Sequence, residues 1–165
     1  MSILLERKEA RSVNRGNLVV METEAGEARI CLKTEREGKE YTHHYLVQID
    51  PTPNEGYCLL YIDPEENILD CGIRPGFQLE NPVDITTMNR SELGYIIETP
   101  AGTFLKVSED PKMQKFCGYV NIHSGEIKRR QERNVKAAFP EWQAKIPDDG
   151  SIETFAMIYE ALGQK

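Results

Sequence analysis

Short runs of β-branched and aromatic residues, cut by Gly, Pro and Asn, recur along most of this chain. Such runs bounded by turn residues are the signature of strands. Leu18-Val19-Val20-Met21 and Ala28-Arg29-Ile30-Cys31-Leu32 flank Glu24-Ala25-Gly26-Glu27, which predicts a hairpin. Residues 41–49 alternate, with Tyr41, His43, Tyr45, Val47 and Ile49 on one face. Thr42, His44, Leu46 and Gln48 take the other face, which leaves His43 partly buried and His44 facing solvent. Residues 57–62 are apolar at successive positions, as in a central strand, and 68–73 return after the turn at 63–67. Two more hairpins are predicted, at 95–98 with 104–107 and at 116–122 with 126–128. Their turns are Thr99-Pro100-Ala101-Gly102 and His123-Ser124-Gly125. Residues 74–82 read as irregular, and 83–92 show neither period.

Beyond residue 129 the period changes. Residues 131–139 read as helical until Pro140 stops them. At the C-terminus Ile152, Phe155, Ile158, Tyr159 and Leu162 recur at helical spacing. Ser151 is a candidate N-cap, with Asp148 and Asp149 near the positive end of the helix dipole, and Gly163 suits the C′ position. Residues 1–16 are polar and read as an arm or short helix. The expected fold is therefore mainly β. Antiparallel hairpins form a barrel or sandwich across a single domain, 17–165, and an amphipathic helix at 151–163 packs on it. Glu22-Thr23-Glu24-Ala25-Gly26 echoes Glu98-Thr99-Pro100-Ala101-Gly102, a match that shared turn chemistry explains without duplication.

A chain of 165 residues can close one sizeable core without staples. Its net charge of -7 counts against nucleic acid and anionic lipid as the main partner. No run approaches the ~18 apolar residues of a membrane span. The opening Met1 to Ala10, MSILLERKEA, lacks the apolar core of a secretion signal. Cys31, Cys58, Cys71 and Cys117 form no Cys-x-x-Cys pair, and all but Cys71 lie in strand-like runs. Reduced thiols and a cytoplasmic location are the expectation.

Chemistry-bearing residues are sparse. His43 and His44 are adjacent on a strand and point apart, which disfavours a metal centre built on both. Cys117 and His123, six residues apart on one extended strand, would be separated by about 20 Å, too far for a dyad. Asp63, Glu65, Glu66 and Asp70 crowd one turn without the ligand spacing of a calcium loop. Lys128, Arg129, Arg130, Arg133 and Lys136 are the densest positive charge, followed by Phe139 and Trp142. Cations beside aromatic rings make this stretch a candidate interaction surface.

Two short motifs remain. Arg11-Ser12-Val13-Asn14-Arg15 precedes the first strong strand, and Asn89-Arg90-Ser91-Glu92-Leu93-Gly94 precedes a later one. They resemble the R-x-x-x-R and N-x-S-x-x-G motifs of PilZ domains, β-barrels that bind cyclic di-GMP. The resemblance covers eleven residues. It implies a nucleotide gripped by Arg11 and Arg15 together with Asn89, Ser91 and Gly94. In that family one hairpin separates the motifs, whereas here more than seventy residues do. The leading functional expectation is a non-catalytic domain that binds a small molecule or a protein, with a second copy of the chain as one candidate partner. No metal or cofactor is expected. The alternatives are an enzyme whose site is assembled from distant strands, and a nucleotide sensor of the kind just described.

Overall fold

The computed structural model describes residues 4–50, 57–89, 92–108, 117–129, 133–148, 151–153 and 155–163. Strands β1 (Glu6–Glu9), β2 (Leu18–Glu22), β3 (Ala28–Glu37), β4 (Thr42–Asp50), β5 (Leu59–Tyr61) and β6 (Asn67–Asp70) form one antiparallel sheet. Its order is β1-β6-β2-β3-β4-β5. The chain continues through β7 (Gly76–Glu80), β8 (Ile96–Thr99), β9 (Gly102–Ser108), β10 (Cys117–Asn121) and β11 (Ile127–Lys128). It ends with β12 (Ala137–Phe139), β13 (Glu141–Asp148), β14 (Ser151–Glu153) and the helix α1 (Ala156–Ala161). A second sheet has the order β11-β10-β9-β8-β12, and a small third one β14-β13-β7. The fold is mainly β and antiparallel, with one short C-terminal helix, as the hydrophobic pattern predicts.

The first two sheets share a core. Leu18, Val20, Ile30, Leu32 and Val47 meet Ile96, Leu105, Val107, Val120 and Ile122 there, all buried. Ile146 of β13, with Phe155 and Ile158 at α1, closes the same core. Each large sheet also buries its other face. Val19, Cys31, Leu46 and Ile68 are covered by Ala10, Val13 and Ile62. Tyr95, Ile97, Phe104 and Tyr119 pack with Ala138 and with Val83, Ile85 and Met88. Strands covered on both sides lose polar alternation, which is why so many runs here are apolar throughout. Tyr159 donates from its hydroxyl to Asp50 Oδ2 at 2.5 Å and so ties α1 to β4.

The hairpins β2–β3, β8–β9 and β10–β11 form where expected. Six expectations need correction. Within 74–82, read as irregular, Gly76–Glu80 form β7 and pair with β13. Residues 57–62 do not make a central strand; β5 is the edge strand next to β4, with Cys58 bridged to Ser108 of β9. Its successor β6 does not pair with it but crosses to lie between β1 and β2. The polar N-terminus is not an arm: β1 pairs along β6, and a 3-10 turn at Ala10–Ser12 follows. Within 131–139, Ala137–Phe139 form β12, paired with β8 from Ala137↔Glu98 to Phe139↔Ile96, so edge pairing overrides the helical propensity of its alanines. At the C-terminus only Ala156–Ala161 is helical, because Ser151–Glu153 adds as a strand to β13. Phe155 and Ile158 still dock as the helical spacing predicts, and Gly163 at φ 72° closes the helix.

The two large sheets also join through backbone at one corner. Gly125, at φ 74°, sits against Gly16 and the Lys33 carbonyl; Gly16 N donates to Lys33 O, and Glu35 N to Gly125 O. A Cβ at Gly125 would stand 2.7 Å from that carbonyl. This corner fixes β11 against β3, and with it the position of Arg129.

Candidate anion-binding groove

Among the described residues β3 and β4 form the longest hairpin, paired from Ile30↔Asp50 to Glu37↔Thr42. Gly38 opens the tip loop and donates to Tyr41 O at 3.0 Å. A Cβ there would meet Tyr41 O at 2.7 Å and the His43 ring at 3.1 Å, so the tight tip excludes a side chain. Across the hairpin Arg36 stands opposite His43, which places both on the same face. From the second sheet the end of β11 delivers Ile127 and Arg129 to the same place. Arg36, Glu37, Gly38, Lys39, His43, Ile127 and Arg129 together line an open groove of about 440 Å³. Three cations and an imidazole face one carboxylate, in a chain whose net charge is -7. Guanidinium and ammonium groups from the β3–β4 hairpin and the end of β11, lining one hollow, suit a ligand with anionic oxygens.

A second polar cluster lies under the N-terminal segment and is closed. Lys33 is fully buried on β3. Its Nζ donates to Glu35 Oε2 at 3.1 Å, stands 3.0 Å from His44 Nδ1 and reaches toward Val13 O at 3.5 Å. Burial holds the Lys33 ammonium below its ordinary pKa, although Glu35 opposes the shift. His44 is 7% exposed, the reverse of the expectation that it faces solvent, because residues 10–17 cover this face of the sheet. Burial and the nearby Lys33 cation hold its pKa below the usual value. The imidazole is therefore neutral and accepts from Lys33 through Nδ1. Beside it Asp70 accepts from Lys8 Nζ at 3.1 Å, Asn17 Nδ2 at 3.2 Å and Gly72 N at 2.9 Å. Lys33 and Asp70 thus hold the N-terminal segment down; the geometry is that of a fastening.

The cysteine thiols at Cys31 and Cys71 are buried, and burial raises both to about 12, so neither is a thiolate at neutral pH. Among the described residues no three His, Cys, Asp or Glu side chains converge as a metal site. Among the same residues no helix is long and apolar enough to cross a membrane. A smaller, more enclosed hollow of about 220 Å³ lies beside β5 and β6, lined by Arg7, Met21, Leu60, Tyr61, Glu66 and Ile68 among others.

The residues singled out from sequence are dispersed. Arg11 pairs with Glu9 at 2.7 Å on the surface, and its backbone N–H donates to Pro64 O. Arg15 is half-buried, its carbonyl accepting from Arg74 Nη2 at 3.4 Å. Asn89 is exposed, its N–H donating to Glu92 Oε2 at 3.4 Å. Gly94 is buried: its N–H donates to Lys106 O, and its carbonyl accepts from Trp142 Nε1 at 2.6 Å. Trp142 is half-buried between Tyr57 and Phe77, and Phe139 packs on the shared core. Arg133 is exposed. Ser91 and Arg130 lie outside the described residues. Of these residues Arg129 lines the groove. Of its companions, Arg36 and Lys39 are not singled out by the sequence and His43 only as a metal ligand, although the charged loop at 34–40 and the ring-bearing face of 41–49 are both visible there. Comparison with family models, curated proteins and solved structures finds no match to this chain.

Proposed function

We propose that this chain is a non-catalytic binding domain whose ligand is a small anion-bearing molecule seated between the β3–β4 tip and the end of β11. The observation that carries this reading is the convergence of Arg36, Lys39 and Arg129 around one open groove in an acidic protein. The surrounding negative charge repels polyanions at long range, while the local cations attract a compact one within a Debye length of about 8 Å. The closed state of the Lys33 cluster and the high thiol pKa values support binding over catalysis. The test is a titration of isotope-labelled protein with inorganic pyrophosphate, followed by amide chemical shifts. Saturable shifts should centre on residues 36–43 and 127–129. Arg129→Gln removes a charge-assisted hydrogen bond worth about 1.5–3 kcal/mol, so affinity should fall roughly tenfold or more. Shifts scattered over the surface, or an unchanged affinity in the variant, would refute the assignment.

A further inference from the structure

The groove adjoins a set of aromatic rings on the same side of β4. His43, which lines it, packs against Tyr41 with the rings tilted, their centroids 4.7 Å apart and their planes at 53°. The Arg36 guanidinium carbon lies 5.6 Å from the centre of the Tyr45 ring, and Tyr45 meets Tyr61 edge-on at 5.9 Å. The rings of Tyr41, His43, Tyr45 and Tyr61 and the Arg36 guanidinium therefore share one side of this sheet, from the hairpin tip to its edge. Two of these rings are open to solvent: Tyr41 is 66% exposed and Tyr61 63%. Tyr41 belongs to none of the three cores and packs instead on His43, which lines the groove.

We propose that the ligand of the groove is a nucleotide, its phosphates held by Arg36, Lys39 and Arg129 and its base stacked on Tyr41. This rests on the anion-groove reading and adds the planar half of the ligand. Stacking suits any base, because every base presents a π face, so the inference names the class and not the base. A mononucleotide fits better than a strand. Three cations line one hollow, and the net charge of -7 repels a longer polyanion.

The experiment compares adenosine diphosphate with inorganic pyrophosphate by calorimetry, on wild type, Tyr41→Ala and Tyr41→Phe. Tyr41 is exposed, so both variants should fold, which circular dichroism checks. Adenosine diphosphate should bind about tenfold more tightly than pyrophosphate to wild type. Tyr41→Ala should erase that advantage, bringing the adenosine diphosphate affinity down to that of pyrophosphate, whereas Tyr41→Phe should keep it. Equal affinities of the two probes for wild type would overturn the stacking while leaving the anion groove standing. Failure of both probes to bind would remove the groove as well. A short single-stranded oligonucleotide binding more tightly than the diphosphate would overturn the mononucleotide assignment in favour of a strand.

Discussion

At the scale of single residues, the largest departure from expectation is the pair Lys33 and His44. Strand alternation correctly placed His44 opposite His43. It could not show which face is covered, because the cover comes from residues 10–17, whose polar sequence carries no sign of docking. Lys33 likewise looks like a solvated position and is instead the largest of the fully buried side chains. A buried lysine is held by its partners, here Glu35 and the neutral imidazole of His44. The pH consequence has a definite sign. Both pKa values are lowered in the fold, so the unfolded chain binds more protons and stability rises with pH across both windows. For His44, stability is lost as pH falls below the unfolded value of 6.5 toward the folded one. The groups facing it are Lys33, Glu35 and His43; the lysine and His43 lower its pKa and Glu35 raises it. Denaturant unfolding should therefore show wild type losing more stability than His44→Gln between about pH 8 and about pH 5. In Lys33→Met the imidazole signal of His44 should titrate closer to its ordinary value, since the cation beside it is gone. Parallel pH curves and an unmoved signal would contradict this account.

At the scale of elements, hairpins were legible and longer connections were not. Turns such as Thr99-Pro100-Ala101-Gly102 announce themselves because few residues can take their backbone angles. The crossing of β6 to its place between β1 and β2 leaves no local trace, so the chain reads as if 68–73 simply returned along 57–62. The C-terminus misleads for another reason. Asp149-Gly150 suits a helix start by charge, but Asp-Gly is also the favoured pair for a two-residue hairpin, and β13 and β14 pair at Asp148↔Ser151 on either side of it. The pairing consumes the first turn of the expected helix. Gly125 gives the sharpest test at this scale. Alanine there meets both a left-handed backbone and a 2.7 Å approach to Lys33 O. Urea unfolding of Gly125→Ala should show a loss of at least about 1–3 kcal/mol. Because β11 hangs on that corner, the variant should also bind pyrophosphate more weakly. Unchanged stability would mean the sheets do not depend on the corner.

At the scale of the whole molecule, the acidic balance argues against a polyanion as partner and hides a local exception. The charged loop at 34–40 and the basic stretch from Lys128 were each plain in the sequence. Only the corner of Gly16, Gly125 and Lys33 brings Arg129 beside Arg36, Lys39 and His43, and no local pattern encodes that meeting. Trp142, by contrast, attracted attention as an exposed anchor and is engaged with Gly94, Tyr57 and Phe77. A groove that works by charge must weaken with salt, because bound counterions compete with the ligand. The most direct test of this account is a calorimetric titration of pyrophosphate into wild type and Arg36→Glu/Arg129→Glu, at about 50 mM and about 200 mM sodium chloride. The account predicts one saturable site in wild type, markedly weaker at the higher salt and lost in the double variant. No binding at low salt, or equal binding by the double variant, would contradict it.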